Sequence, residues 1–434
     1  MTFKESNTTK FVEAKLILVL NMARSAFPSK AVARLVLSQH HLAEETLGRN
    51  KEDVIRIVGD VGGLHTQSFE SPYLSLWNRM TNFDWEWLDK LLKEKMLIAA
   101  HLMRVTLHIV PANEFPMYFQ ATRNAIRKFL TSRGLSWPPK FTATHRAILA
   151  FINEKDGVTT LEIRKFLELK GLPTKNLHRI IHYELAGIGA ILRTRRRTKV
   201  PTQWKWSTTE RLMDQSSLES ITEEEAKEWL VQKYLKAFGP SSIEDIISYT
   251  GHTKTETKKI IERLSTRGRV ASVKIDDASK QWILFEDADK LKKLETENVS
   301  TKRISVVHIL PEFDPLTVGY RRRWKGFISV PPIRPGLRSH PAPGVILVDG
   351  QIFGKYLTWP NVALFLNVKG NELKAIIKVL DKFEKIATLK AMQVFCIKEI
   401  NGKDVTSKEL EPILSYFYES GYFLREGYLC KQLM

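Results

Sequence analysis

Apolar residues at helical spacing, framed by hydroxyl residues and glycines, occur twice in the middle of the chain. The two segments are DGVTTLEIRKFLELKG at 156–171 and FGPSSIEDIISYTG at 238–251. In each, a hydroxyl residue (Thr159, Ser241) stands three positions before a glutamate, which is the spacing of a capping box. Glycine favours the left-handed backbone that ends helices, so Gly171 and Gly251 mark the stops. The pattern predicts two capped helices of similar length.

A second helix and a β-hairpin follow in both copies. The second helices are predicted in TKNLHRIIHYELAGIG, with Thr174 as N-cap, and in TKTETKKIIERLSTRG, where Thr253 and Glu256 form a further capping box. The strand pairs that follow are AILRTRRR with TQWKW, and RVASVKID with QWILF. Helix, short turn, helix and hairpin is the order of a winged helix, although periodicity alone also permits a generic α+β domain.

The flanking regions complete the predicted architecture. Residues 28–112 follow a looser version of the same plan, in which MLIAAHLMRVTLHIVPA is predicted as strand material that ends at Pro111, with Arg104 in a hairpin. Beyond about residue 300 the pattern changes to mixed strand and helix, with a hairpin at Asp349-Gly350. The predicted fold class is α+β, with three tandem winged-helix units and a β-rich C-terminal α+β domain. The predicted divisions are 1–140 (N-terminal helices and first unit), 141–210 (second unit), 211–295 (linker helix and third unit) and 296–434 (C-terminal domain).

Charge indicates the kind of partner. The 434 residues contain 67 Lys and Arg against 48 Asp and Glu, a formal net charge of +19. Neutralising phosphates releases condensed counterions, so clustered positive charge favours a nucleic acid over the alternative of a basic but unspecialised protein. We expect double-stranded DNA as the partner and a monomer as the acting form.

Other chemistries find little support in the sequence. Cys396 and Cys430 are the only cysteines, and their spacing supports neither a zinc site nor a disulfide framework. The early run KLILVL is too short to span a bilayer and is predicted to be a buried helix face. No glycine-rich nucleotide loop or nucleophile elbow occurs. We expect no metal, no cofactor, no membrane contact, and a cytoplasmic protein that is nucleoid-associated when bound to DNA.

The candidate chemistry lies in GGLHTQSFESPYLSLW, where two glycines precede His65-Thr66-Gln67. In an extended segment, residues two apart point the same way, so His65 and Gln67 would face one pocket while Thr66 points away. A glutamine carbonyl can orient a water, and a neutral histidine can accept its proton. The alternative is a polar pair that satisfies backbone groups at a helix end.

Basic residues gather at the predicted second wing, on the second helices and in GYRRRWKG. Such clusters suit contacts with DNA phosphates beside a groove. The residues predicted to bind DNA are Arg104, Lys175, Arg179, Arg193, Arg195, Arg196, Arg197, Lys199, Lys254, Lys258, Arg321, Arg322, Arg323 and Arg338. Glu312 and Asp314 could be catalytic carboxylates, but turn and capping roles are favoured.

Four stretches together resemble a known family. They are GGLHTQSFESPYLSLW, LMRVTLHIVPA, FGPSSIEDIISYTG, and LPEFDPLTVGYRRRW with GVILVDGQIFG. In this order they resemble the winged-helix family that includes the AlkZ- and YcaQ-type bacterial DNA glycosylases. The resemblance implies tandem winged helices and a β-rich C-terminal region, which together form a concave basic surface for duplex DNA.

The resemblance also implies a catalytic motif. AlkZ-type members carry Gln-x-Gln and YcaQ-type members Gln-x-Asp, which map onto His65-Thr66-Gln67 and make His65 and Gln67 the catalytic candidates. Two positions depart from the family: His65 replaces glutamine, and Val105 stands where glycine is expected. The implied function is a DNA glycosylase that hydrolyses the N-glycosidic bond of alkylated, cationic purines with a water. A non-catalytic winged-helix regulator and a protein-binding scaffold are the alternatives.

Overall fold

The computed structural model has a mixed α+β fold. It describes residues 26–155, 157–197, 203–214, 218, 220–276, 280–296, 307–320, 344–348, 351–357, 362–366, 370–389 and 396–431. The helices are α1 (Ser29–Gln39), α2 (Lys51–Asp60), α3 (Ser71–Trp77), α4 (Trp85–Lys93), α5 (Phe115–Thr131), α6 (Ala143–Glu154), α7 (Thr160–Leu169), α8 (Leu177–Arg179), α9 (Glu223–Phe238), α10 (Ile243–Thr250), α11 (Lys254–Thr266), α12 (Phe285–Thr296), α13 (Pro315–Val318), α14 (Asn371–Leu389) and α15 (Glu411–Glu419).

The strands form three sheets. They are β1 (Ala26–Phe27), β2 (Leu64–His65), β3 (Leu97–His101), β4 (Leu107–Pro111), β5 (Val158–Thr159), β6 (Ile191–Arg197), β7 (Gln203–Thr208), β8 (Val270–Ile275), β9 (Gln281–Leu284), β10 (Val307–Leu310), β11 (Gly344–Val348), β12 (Gln351–Leu357), β13 (Val362–Leu366), β14 (Ile397–Ile400), β15 (Lys403–Asp404), β16 (Tyr422–Arg425) and β17 (Tyr428–Lys431). The predicted hairpins are therefore present as β3–β4, β6–β7, β8–β9 and β11–β12.

Local capping signals set most of the helix starts. Two of the three predicted capping boxes, those that begin at Thr159 and Thr253, are confirmed at the starts of α7 and α11. The third is wrong by one residue: Ser241 is buried, and Ser242 forms the box with Asp245. Both hydroxyls precede α10, and burial of the first leaves the second to accept from the free N–H groups of the helix.

One sheet joins the first and second predicted units. Its strand order is β2-β4-β3-β6-β7-β5, and β3 meets β6 at Ala99 and Arg193. The hairpin that follows the candidate motif therefore lies beside the predicted wing of the next unit. Residue spacing could not show this join, because it depends on a pairing between strands almost a hundred residues apart.

The start of the described chain packs against the predicted third unit. Strand β1 pairs in parallel with β8, and Phe27, Val32 and Leu35 share a hydrophobic core with Ile275 and Leu291. Residues that the sequence assigns to division 1–140 thus pack against division 211–295. Burial of each of these apolar side chains contributes about 1.5–3 kcal/mol, which fixes the two regions together.

The C-terminal sheet contacts the segment that follows the candidate motif. Its strand order is β10-β11-β12-β13-β14-β17-β16, with β15 on β14. Asn78, just after α3, donates to the Ile309 carbonyl at 2.8 Å and accepts from the Ile309 N–H at 2.9 Å. The side-chain amide thereby pairs with β10 as a neighbouring strand would. Asp349 and Gly350, the predicted turn between β11 and β12, lie outside the described residues.

The two cysteines form a disulfide, which the sequence analysis did not support. Strands β14 and β17 pair at Ile397 and Leu429, and this brings Cys396 and Cys430 to a Cα–Cα distance of 4.6 Å, within the bonding range. Their separation of 34 residues carries no such information. The earlier expectation is therefore wrong for this pair, because strand pairing and not residue spacing decides the bond.

Candidate active site

A tight turn delivers His65 into the six-stranded sheet. Gly62 and Gly63 have φ of 77° and 92°, in the left-handed region that favours glycine. A Cβ on Gly62 would lie 2.4 Å from the Tyr249 hydroxyl, which donates to the Gly62 carbonyl at 2.7 Å. The turn therefore requires glycine, and it starts β2 directly opposite β4, where His65 pairs with His108.

The turn between β3 and β4 supplies a guanidinium to His65. Arg104 Nη2 lies 2.7 Å from His65 Nε2, and Arg104 Nη1 donates to the Val318 carbonyl at 2.6 Å. The guanidinium also lies over the Tyr249 ring, 5.5 Å from its centroid. Arg104, predicted to bind DNA near the site, is half-buried and is part of the site itself.

His65 is enclosed and uncharged. Its side chain is only 4% exposed, with the His108 ring 4.1 Å and the Phe313 ring 6.3 Å away between centroids. Burial, with smaller contributions from His108 and Arg104, holds the pKa of His65 well below its ordinary value. A neutral imidazole is the form that can accept a hydrogen bond from Arg104.

The extended backbone expected through Gln67 ends early, while a pocket shared by His65 and Gln67 stays a prediction. Strand β2 ends at His65, Thr66 is buried with its N–H bonded to the Leu107 carbonyl, and Gln67 lies in an exposed bend. The alternation of side chains applies only while the backbone stays extended. The Gln67 side chain is therefore exposed to solvent and ligands, whereas the His65 ring is buried and contacts Arg104.

A segment more than two hundred residues away completes the site. Asp314 accepts two hydrogen bonds from Arg79, each 2.8 Å long, and one from Ser75, also at 2.8 Å; both charged side chains are 0% exposed. Asp314 also accepts from the Leu316 N–H and so caps α13. The capping role favoured by the sequence is confirmed, and the carboxylate is fully engaged. These bonds hold Phe313, with a left-handed φ of 61°, beside His65.

Sequence reasoning missed Phe313 and Val318 as site residues. They follow α3 by about 240 residues, and no local pattern links them to His65. The one available signal was that LPEFDPLTV lies in a stretch that carries the family resemblance. The tertiary contacts of α3 with the C-terminal sheet bring them together.

Four of the predicted DNA contacts are exposed in the described part of the chain. The exposed ones are Lys175, Arg179, Lys254 and Lys258. Of these, Arg179 lies 3.1 Å from Glu184, and Lys254 lies 3.6 Å from Glu244. Arg195, Arg196 and Arg197 lie on β6, while Lys199, Arg321, Arg322, Arg323 and Arg338 fall outside the described residues.

Arg193 is a correction to the predicted DNA surface. Its side chain is 3% exposed, with the guanidinium 4.3 Å from the Trp206 ring and Nη2 3.0 Å from His182 Nδ1. Burial lowers the pKa of Arg193 to about 9. A guanidinium buried in this way cannot reach a phosphate, and it stabilises the β6–β7 hairpin by stacking on an indole.

The second helix of the predicted second unit also differs from its prediction. It begins at Leu177, after Asn176 with a left-handed φ of 65°, and continues as a π-helix over Ile180–Leu185. Thr174 is not the N-cap, because its carbonyl and not its hydroxyl accepts from the Leu177 N–H. Lys175 thus precedes the helix.

The backbone conformation at position 105 is one that favours glycine, the residue expected there from the family resemblance. Arg104 and Val105 have φ of 55° and 56°, and a β-branched residue in this left-handed region is strained by about 1–3 kcal/mol. Two consecutive strained residues at one turn, beside a third at Phe313, indicate a functional constraint on the backbone around His65.

Replacing Val105 with glycine is expected to raise the free energy of unfolding by about 1 kcal/mol. Relief of strain outweighs the greater backbone entropy of glycine in the unfolded chain. Urea unfolding of both proteins measures the difference. Val307→Gly, at a half-buried valine in β10, is the matched control and should lower stability instead. A loss of stability in both variants would contradict the strain argument.

The described parts of the chain contain no group of three His, Cys, Asp or Glu side chains placed to hold a metal ion. No helix within the same ranges is both long and apolar enough to cross a membrane.

Comparison with known proteins places these features in a class. A family model described as DNA glycosylase AlkZ-like matches residues 58–356, which is more than half of the chain and includes His65, Gln67, Arg104 and Phe313. The chain belongs to the AlkZ-like DNA glycosylase family. Among solved structures, Streptomyces sahachiroi DNA glycosylase AlkZ is similar, with a TM-score of 0.61 and 15% identity over 86% of this chain and 100% of that one. At this identity the likeness shows the fold. No curated protein matches.

Proposed function

We propose that this chain is a DNA glycosylase that removes alkylated, cationic purines from double-stranded DNA. The observation that carries the proposal is the family match over residues 58–356. This range includes His65-Thr66-Gln67, the triplet that the sequence resemblance maps onto the catalytic motif. The exposed Gln67, next to the enclosed His65, supports a site where a substrate approaches from the solvent side. The net charge of +19 supports a polyanionic substrate.

The fold supports a way to hold the duplex. We infer three winged-helix units, because the order of helices followed by a hairpin occurs in α7–β7 and α10–β9, and in a looser form in α2–β4. The exposed cations on the second helices neutralise phosphates, while Gln67 and Arg104 lie near the extruded nucleoside. Phosphate contacts of this kind set position and carry no sequence information.

The reaction requires little acid catalysis. Alkylation makes the purine a cationic leaving group, which departs as a neutral base with the electron pair of the C1′–N bond. A water held by the Gln67 carbonyl forms the new C1′–O bond, and its proton passes to His65 Nε2. This last transfer requires the Nε2 lone pair, which Arg104 occupies in the structure.

Replacing Gln67 with alanine is expected to slow base release by about 100-fold, because a misplaced water loses the benefit of orientation. Single-turnover release of N7-methylguanine from a methylated duplex measures the rate. His65→Ala should lose a similar factor, since it removes the proton acceptor. His65→Gln recreates the family's Gln-x-Gln and should retain part of the activity.

Gln232→Ala, on α9 and away from the motif, is the matched control and should release base at the wild-type rate. Absence of base release by the wild-type protein, above the rate without protein, would refute the proposal. Equal rates for Gln67→Ala and Gln232→Ala would refute the role of Gln67.

The enclosure of His65 favours one second candidate, a non-catalytic DNA-binding protein. With the imidazole 4% exposed and bonded to Arg104, the altered motif would only stabilise the sheet. Tight binding to an undamaged duplex without release of methylated base would support this second candidate.

A further inference from the structure

The hydrogen bond between Arg104 and His65 fixes the state of the imidazole. A guanidinium carries only donors, so His65 Nε2 must accept and the ring hydrogen must be on Nδ1. Nδ1 is buried and has no partner among the described residues. In this arrangement His65 has no lone pair left to take a proton from water.

Arg104 is itself held only by neutral groups. Its contacts are the His65 ring, the Val318 carbonyl and the face of Tyr249, and no carboxylate pairs with it in the described part of the chain. The bond from Arg104 to a neutral imidazole has one charged partner, whereas a guanidinium and a phosphate carry opposite charges and can form two parallel hydrogen bonds. A DNA phosphate that reaches this half-buried guanidinium therefore competes well with a neutral imidazole.

We propose that Arg104 is a substrate-sensing positioning residue that blocks His65 until a DNA phosphate draws its guanidinium away. In the free protein Arg104 occupies Nε2 and fixes the ring with its hydrogen on Nδ1. In the DNA complex the guanidinium binds the phosphate, and the freed lone pair of His65 faces the water that Gln67 orients. This inference rests on the proposed function, since it concerns the proton acceptor of that reaction.

The strained backbone around Arg104 fits this role. Arg104 and Val105 both have left-handed φ, and the stable β3–β4 ladder ends just before them. Strained backbone conformations cluster at ligand clamps and switch regions. The Arg104 guanidinium can leave by rotation about its own side-chain bonds, whereas His65 is held by the pairing of β2 with β4. The group that moves on DNA binding is therefore the Arg104 guanidinium, and the His65 ring stays in place.

The test observes the His65 ring directly and needs no lesion. The full chain with ¹⁵N-labelled histidine rings is titrated with an undamaged duplex, and His65→Gln identifies the His65 signals. Without DNA we expect one fixed form, protonated at Nδ1 and unprotonated at Nε2. At saturating duplex we expect this fixed form to be lost, with the hydrogen exchanging between the two nitrogens. An unchanged His65 ring at saturation would overturn the proposal.

Two variants of matched length separate this blocking from general DNA binding. Arg104→Met should release the ring without DNA, and should reduce the slope of log affinity against log salt by about one. Lys258→Met, at an exposed cation on α11, should reduce the slope similarly while the ring stays fixed until DNA is added. A fixed ring in free Arg104→Met would also overturn the proposal. Loss of the fixed form on DNA binding, without base release from methylated DNA, would defeat the proposed glycosylase and leave the Arg104 mechanism standing.

Discussion

Asp314→Ala is expected to lower the free energy of unfolding by about 3–5 kcal/mol, the typical cost of removing one partner of a buried ion pair. Arg79 and Asp314 are both 0% exposed and share two hydrogen bonds of 2.8 Å. Removal of the carboxylate leaves the Arg79 guanidinium buried without a counter-charge, and α13 loses its cap. Chemical unfolding of the full chain, followed by circular dichroism, measures the loss.

Glu86→Ala is the matched control for a surface pair. Lys90 and Glu86 lie 3.0 Å apart, four residues apart on α4, with side chains that are 51% and 73% exposed. Such pairs contribute about 0.3–0.5 kcal/mol, so this variant should unfold almost as the wild type does. If Asp314→Ala changes stability no more than Glu86→Ala does, the ion pair does not anchor the segment that carries Phe313 and Val318.

Acid is expected to unfold this protein steeply below about pH 6.5. Burial is the main cause of a lowered histidine pKa at seven positions in the described part of the chain. The pKa falls to about 3 in His101, His108 and His182, to about 4 in His252 and His308, and well below its ordinary value in His40 and His65. Below about pH 6.5 these histidines therefore bind protons in the unfolded chain but stay neutral in the folded protein.

The sign of the effect follows from this difference. Above about pH 7.5 these histidines are neutral in both states and stability does not depend on them. Below pH 6.5 each lowers the free energy of unfolding by up to ~1.4 kcal/mol per pH unit, until the pH approaches its folded pKa near 3 or 4. Several such histidines together can offset the whole free energy of unfolding of a typical domain, ~5–15 kcal/mol, within one or two pH units.

Thermal unfolding between pH 8.5 and 5 measures this dependence. We expect a nearly constant midpoint down to pH 7 and a steep fall below 6.5. His252→Gln removes one buried imidazole and should reduce the slope by about one proton, whereas Gln232→Ala, which removes no titratable group, should leave it unchanged. A midpoint that is flat down to pH 5 would show that these imidazoles are protonated in the folded protein.

Local residue order was enough to predict most of the elements around the site. The capping boxes at Thr159 and Thr253, the glycine stop at Gly251 and the strands on either side of Arg104 were all predicted. Each depends on hydrogen bonds and backbone angles within a few residues. The predicted N-caps at Ser241 and Thr174 were wrong, because packing moves each helix start to a later residue.

The candidate site was predicted in part. His65, Gln67 and Arg104 were named from the motif and its hairpin, and glycine was expected where Val105 has a left-handed φ. The extended backbone expected through Gln67 was wrong, because the chain bends after β2. The chemistry of residue types is visible in a sequence, but the direction of a side chain is not.

The order of residues alone established a basic α+β protein with a polar triplet after two glycines. Packing alone decided that Arg193 and His65 are buried, that Asp314 anchors Phe313 beside the motif, and that Arg104 meets His65. The physical reason is the sequence separation over which each interaction acts. Helix caps and turns depend on residues a few positions away. Burial and ion pairing at this site depend on segments more than two hundred residues apart in the sequence.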